Sequence, residues 1–178
     1  MNTNSTTRDH YDQAREHYER AELVEAIPHY SRVIELSSDS WYLFRAHIDR
    51  GDCYWKLADA TDAPEGALQL ALADYQQATP HRPDSAASYV GLGLVYESLG
   101  DYAAALDALD HAITVNPSSV DAYINRGILK EERLGWFESA IEDYDRGIEL
   151  LIAAEDEHPA YIDRIRARRS SLIAKAAR

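Results

Sequence analysis

The chain has 178 residues, of which 18 are basic and 31 acidic, and its formal net charge is −13. Hydrophobic residues make up 46% of the composition and charged residues 28%, which provides enough apolar material for a packed core and argues against global disorder. The excess of carboxylates opposes nucleic acid as a partner, because phosphate binding depends on neutralisation by Lys and Arg.

The chain begins with a polar segment, residues 1–6, which we expect to be flexible. The N-terminus lacks the apolar stretch of a secretory signal, and no apolar run in the sequence approaches the ~20 residues that span a bilayer. We therefore predict a cytoplasmic protein without membrane contact. Residues 7–178 are predicted to form one array of repeated helical units.

The first two units are predicted over residues 7–40 and 41–85. The helix-packing positions of the first hold Ala14, Ala26, Tyr30 and Val33, and those of the second hold Gly51, Tyr54, Ala71, Tyr75, Ala78 and Pro83. The second unit has an insertion of eight residues between Leu57 and Ala71. It contains Asp62-Ala63-Pro64-Glu65, a favourable helix start, so we predict that both helices of this unit are longer by about one turn.

The third unit, residues 86–119, carries the clearest pattern and spans 34 residues. It reads Tyr89-x2-Leu92-Gly93-x2-Tyr96, then Gly100-Asp101-Tyr102, then Ala105-x3-Leu109-x2-Ala112, and ends in Asn116-Pro117. This spacing closely resembles the tetratricopeptide repeat, a hairpin of two helices. The fourth unit, residues 120–154, has a weaker copy with Tyr123, Gly127, Ala140, Tyr144 and Gly147, and one residue inserted before Gly135.

A terminal segment, residues 159–177, has apolar residues at helical spacing, namely Ile162, Ile165, Leu172, Ile173 and Ala176. We expect it to cover the exposed apolar face of the last hairpin, as the terminal elements of repeat arrays do. The resemblance and the pattern together predict an all-α, right-handed α-solenoid of four antiparallel helix pairs with a C-terminal capping helix.

Two of the units share a correlated substitution. Each has an Arg at the position where the pattern has Leu, and an Asp three residues after the helix-packing Ala. Both positions lie near the contact between the two helices of a hairpin, and the planar guanidinium can hold a carboxylate with two hydrogen bonds. We therefore predict two structural ion pairs, Arg50–Asp74 and Arg126–Asp143.

The resemblance also implies a binding surface, because the first helices of successive tetratricopeptide hairpins line a concave groove that binds peptides or partner helices. Mapped onto this chain, the groove holds Tyr11, Arg15, Tyr18, Ile48, Trp55, Val90, Leu94, Ile124, Asn125 and Ile128. An apolar strip rimmed by charge, with an acidic C-terminal end, favours a protein or peptide with apolar anchors and basic residues. The alternative for each side chain is packing against a neighbouring hairpin.

The function predicted from this pattern is a non-catalytic scaffold for protein–protein interaction. A second hypothesis is a homo-oligomeric, self-assembling module that uses the C-terminal helix or the aromatic segment Trp41-Tyr42-Leu43-Phe44. A known subclass of the family grips the Asp-rich tails of chaperones with a clamp of Lys and Asn, of which only Asn125 is present here, so we do not expect such a tail as the ligand.

Catalysis and metal binding have no support in the sequence. The seven histidines form no His-Glu-x-x-His motif, and there is no Gly-rich phosphate loop. The single cysteine, Cys53, excludes an intrachain disulfide and a multi-cysteine metal site. We therefore predict no enzyme activity, no cofactor and no metal.

Overall fold

The computed structural model describes residues 3–58, 60, 64–154 and 159–176. Within these ranges the chain forms nine α-helices and no strand. The helices are α1 (Thr3–Glu19), α2 (Leu23–Leu36), α3 (Ser40–Ala58), α4 (Pro64–Ala78), α5 (Ala86–Ser98), α6 (Tyr102–Val115), α7 (Val120–Leu129), α8 (Phe137–Ala153) and α9 (Pro159–Ala176). A 3₁₀ turn, Thr79–His81, follows α4, and a π-helical turn, Lys130–Leu134, continues α7.

Successive helices pack in pairs, and each pair packs on the next. The pairs are α1 with α2, α3 with α4, α5 with α6, and α7 with α8, while α9 lies against α8. The first helices of neighbouring pairs also touch, α3 with α5 and α5 with α7. The main contacts therefore connect helices that are one or two apart along the chain, as in a solenoid. The predicted all-α array of helix pairs with a terminal helix is confirmed.

In the second, third and fourth hairpins, a glycine of the first helix lies against a large residue of the second. A Cβ atom on Gly93 would lie 2.8 Å from Cγ of Leu109, and one on Gly127 would lie 2.7 Å from Cε1 of Tyr144. Only glycine lets the two helices approach this closely. Gly100, with φ +81°, forms the turn between α5 and α6 in a conformation that other residues rarely adopt.

The insertion in the second unit lengthens both of its helices. Helix α4 begins at Pro64, seven residues before Ala71, whereas α6 begins three residues before Ala105, a difference of about one turn. The increase in the length of α3 is smaller. Helix α3 ends seven residues after Gly51, whereas α5 ends five residues after the equivalent Gly93. The proposed cap, Asp62-Ala63, lies outside the described residues. The array boundaries and the flexibility of residues 1–6 stay predictions, although helix α1 already begins at Thr3.

Helix α9 covers the last hairpin. Its side chains Ile162, Ile165 and Leu172 are buried in one cluster with Tyr144 and other residues of α7 and α8. Ile173, which belongs to the same apolar spacing, is instead exposed. A search of the described helices for one that is long and apolar enough to cross a membrane finds none.

Candidate functional site

The structure brings both predicted ion pairs together. Nε and Nη2 of Arg50 donate to the two carboxylate oxygens of Asp74 at 2.8 and 2.7 Å. The same atoms of Arg126 donate to Asp143 at 3.0 and 2.5 Å. Both aspartate side chains are only 4% exposed. These four residues lie at helix–helix contacts.

The two arginines also tie neighbouring hairpins together. Nη1 of Arg50 donates to Oγ of Ser31 on α2 at 2.7 Å, and Nη1 of Arg126 donates to Asp110 on α6 at 2.5 Å. Each guanidinium therefore bonds the second helix of its own hairpin and that of the preceding one. Because these bonds span the interface between successive units, they help to fix the stacking of the array.

Each buried aspartate has a further partner that the sequence analysis missed. Nδ1 of His47 lies 2.8 Å from Asp74, and Nζ of Lys130 lies 2.8 Å from Asp143. Both are buried. The contact of Lys130 could have been predicted from the sequence. Lys130 occupies a helix-packing position where the repeat pattern has Tyr, and a lysine that is buried there requires a carboxylate partner.

A concave cleft of about 560 Å³ lies between the first helices α3, α5 and α7. Its apolar lining includes Ile48, Val90 and Leu94, three of the predicted groove residues. A fourth, Asn125, lines the cleft on α7, where its amide donates to the backbone oxygen of Asp121 at 2.8 Å. The structure therefore gathers the central part of the predicted groove into one surface, which we call the central cleft.

The charged lining of the central cleft is mainly acidic. Asp52, Asp84 and Asp121 contribute carboxylates, and Arg82 contributes one cation, 3.3 Å from Asp84. The hydroxyl of Tyr75 donates to Asp52 at 2.5 Å. Burial raises the pKa of Asp52, and the hydrogen bond from Tyr75 opposes part of that rise. The cleft is thus suited to a cationic group, which would neutralise a carboxylate that is costly to ionise in the folded chain.

Four predicted groove residues nearer the N-terminus do not line this cleft. Tyr11 is buried, donates to Asp49 at 2.9 Å and accepts a bond from Arg45, so we do not assign it to a ligand-facing surface. The side chains of the other three form hydrogen bonds with other side chains: Arg15 with Glu19, Tyr18 with Lys56, and Trp55 with Ser98. Burial, followed by the charge of Asp49, raises the pKa of Tyr11 to about 12.

The last two predicted groove residues, Ile124 and Ile128, line a second cavity of about 320 Å³, which we call the terminal cavity. Its other walls come from Tyr144 and from α9, through Tyr161, Arg164, Ile165 and Arg168. Asn125 lines both cavities, so the two are adjacent. The sequence predicts an acidic C-terminal end of the groove, but α9 adds two arginines there.

We find no metal centre or reactive thiol within the described residues. They contain no group of three or more His, Cys, Asp or Glu side chains that could hold a metal ion. The nearest arrangement is a pair, His10 and His29, whose Nδ1 atoms are 3.4 Å apart. Cys53 is buried, and its surroundings raise the pKa of its thiol to about 12, so the nucleophilic thiolate is scarce at neutral pH.

We expect Asp52→Asn to stabilise the fold at neutral pH. The raised pKa means that the folded chain binds a proton at Asp52 more tightly than the unfolded chain does, so ionisation costs stability above the ordinary pKa of an aspartate. Asparagine removes that cost and can still accept the bond from Tyr75. The midpoint of urea unfolding should rise at pH 7, and the gain should shrink below about pH 4, where the aspartate is protonated in both states. An equal gain at both pH values would contradict this assignment.

Stacked helical hairpins with a repeat length near 34 residues define this protein as an α-solenoid. Two sequence models described as "Tetratricopeptide repeat" match residues 42–118 and 90–151. The chain belongs to the tetratricopeptide repeat family. A search of curated proteins found no match.

Solved structures with this fold agree over most of the chain. MamA residues 41–end from Desulfovibrio magneticus RS-1 share 18% identity, with coverage of 85% of this chain and 78% of that one and a TM-score of 0.66. The tetratricopeptide protein TTC0263 from Thermus thermophilus shares 16% sequence identity, and the match covers 94% of this chain and 99% of that one with a TM-score of 0.62. The TPR2B domain of yeast Sti1, in a complex with pHsp70, shares 18% sequence identity. That match covers 72% of this chain and 97% of the domain, with a TM-score of 0.59. These similarities establish the fold, and they confirm the predicted tetratricopeptide solenoid.

Proposed function

We propose that this protein is a non-catalytic interaction scaffold that binds a peptide or partner helix in the central cleft. The observation that carries the proposal is the combination of an apolar lining, Ile48, Val90 and Leu94, with the carboxylates of Asp52 and Asp121. Apolar side chains of a ligand would pack on these apolar residues, and its Lys or Arg side chains would form ion pairs with the carboxylates. The ligand class is therefore a peptide with apolar anchors and basic residues.

The size and burial of the cleft are consistent with this ligand. A volume of about 560 Å³ is in the range of sites that enclose a few side chains. Ile48 and Val90 are 6% and 9% exposed and form a floor that is already packed, while Leu94 is half-buried and remains more accessible. A preformed floor reduces the ordering cost of binding, because few protein side chains have to be immobilised.

The complex of the Sti1 domain with pHsp70 supports partner binding as a use of this fold. We do not extend that ligand to this chain, for two reasons visible at the cleft. Asn125, the single match to the chaperone-tail clamp, donates to its own helix at Asp121. The carboxylates of the cleft would repel an Asp-rich tail.

Self-assembly is the second candidate, and the structure gives it less support. Phe44 is buried, Tyr42 packs edge-to-face on Tyr11 with ring centres 5.7 Å apart, and the apolar side of α9 is largely covered. Trp41 and Ile173 keep exposed apolar surface, 47% and 41%. Light scattering separates the two proposals, since a mass that stays monomeric at all concentrations removes self-assembly.

We expect Leu94→Glu to weaken peptide binding at least tenfold. The substitution places an anionic side chain beside Asp52 and Asp121 and replaces an apolar anchor point, a loss of about 1.4 kcal/mol or more. The probe is the peptide most enriched by the natural chain from a phage-displayed library of random dodecapeptides, and fluorescence polarisation measures its Kd.

Leu70→Glu is the matched control for this experiment. Leu70 is 50% exposed on α4 and lines neither cavity, so the same change there should leave the Kd unchanged. Circular dichroism verifies that both variants remain helical. Equal affinity of the Leu94 variant and the natural chain would show that the central cleft is not the binding surface.

A further inference from the structure

The charges along the groove change sign between the central cleft and the terminal cavity. The central cleft has Asp52 on α3 and Asp121 on α7, and the terminal cavity has Arg164 and Arg168 on α9. Asn125 lines both, so a single bound chain can extend from one to the other. Helix α9 therefore contributes to the groove in addition to covering the last hairpin.

The two arginines of the terminal cavity differ in how their charge is used. Nε of Arg168 lies 2.6 Å from Glu131 and 2.9 Å from the hydroxyl of Tyr144, and its Nη2 bonds Glu132. Two carboxylates thus already compensate Arg168. Arg164 is exposed, and its guanidinium lies 5.1 Å from the ring centre of Tyr161. Stacking on an aromatic ring restrains a guanidinium while leaving its N–H groups able to donate to another group.

We propose, on the basis of the proposed function, that the ligand carries an acidic residue as well as a basic one. Its Lys or Arg lies over Asp121 on α7, and its Asp or Glu is bound by Arg164 on α9. A carboxylate fits the planar fork of Arg with two parallel hydrogen bonds. Neighbouring helices are spaced by roughly 10 Å and an extended chain advances about 3.3 Å per residue, so the two charged residues should be about three to five positions apart.

The test compares library selections by three forms of the full chain, the natural sequence, Arg164→Glu and Arg166→Glu. Arg166 is also exposed on α9 but lies 3.5 Å from Asp163 and outside both cavities, which makes it a matched control. The natural chain and the Arg166 variant should enrich dodecapeptides with both charges at this separation. The Arg164 variant should enrich peptides that have lost the acidic residue or carry a basic one in its place.

Binding of the most enriched peptide gives the quantitative measurement. Changing its acidic residue to the corresponding amide should weaken binding to the natural chain about fivefold. The same change should not weaken binding to the Arg164 variant, because the glutamate there repels the acidic residue that the amide replaces. If affinity depends on Leu94 but responds to neither change, the inference about Arg164 is overturned and the proposed function stands. If the natural chain enriches no peptide, both are overturned. Urea unfolding of the Arg164 variant, expected to match the natural chain, verifies that α9 remains packed.

Discussion

Replacing Asp143 by alanine is expected to lower the free energy of unfolding by about 3–5 kcal/mol, because it removes the buried carboxylate that Arg126 and Lys130 share. Asp143 holds Arg126 with two hydrogen bonds and lies 2.8 Å from Nζ of Lys130. The side chains of Arg126 and Lys130 are only 18% and 10% exposed. Urea unfolding monitored by circular dichroism at pH 7 measures the loss.

Asp110→Ala is the matched control, because Asp110 binds the same guanidinium from the outside. Its side chain is 51% exposed, and an ion pair at such a position contributes about 0–1 kcal/mol. The two variants remove the same chemical group from the same arginine and differ chiefly in burial. A similar loss for both would mean that desolvation does not control this network, contrary to our interpretation.

The architecture could be predicted from the sequence because the repeat constrains every unit in the same way. Gly93, Gly127 and the large residues opposite them recur with a fixed spacing, and that spacing corresponds to one geometry of a helix hairpin. The ion pair between Arg126 and Asp143 could be predicted for the same reason, since both positions were already located on facing helices. These are contacts within a single unit.

Contacts between units were harder to predict, and most differences at the candidate site arise there. The repeat pattern places Tyr11 on the groove side of α1, but α3 approaches and buries it against Asp49. Likewise, the pattern assigns α9 to capping, whereas its Arg164 and Ile165 also line a cavity together with Ile124 and Ile128 of α7. A helix pattern specifies which face a residue occupies, but it does not specify how closely the next helix approaches that face.

The glycine at position 91 illustrates how tightly adjacent units pack, and Gly91→Ala is expected to destabilise the protein by about 1–3 kcal/mol. A Cβ atom there would lie 2.6 Å from Cζ of Tyr75 and closer still to two other ring carbons. The ring also packs closely on α3, because a Cβ atom at Gly51 would lie only 3.1 to 3.3 Å from the same three ring carbons. Its hydroxyl is also held by Asp52 at 2.5 Å. Thermal or urea unfolding measures the loss.

The same substitution at another glycine, Gly66→Ala, is expected to change the stability in the opposite direction. Nothing lies within 4 Å of a Cβ atom at Gly66, which is an exposed position in helix α4. Alanine favours the helix over glycine by roughly 0.5–1 kcal/mol, so this variant should be more stable than the natural chain. The helical preference also acts at Gly91, and a decrease in stability there shows that overpacking against Tyr75 outweighs it. Tyr75 is buried where α3, α4 and α5 meet. An increase in stability at both positions would contradict our interpretation, because it would mean that these helices can move apart without cost.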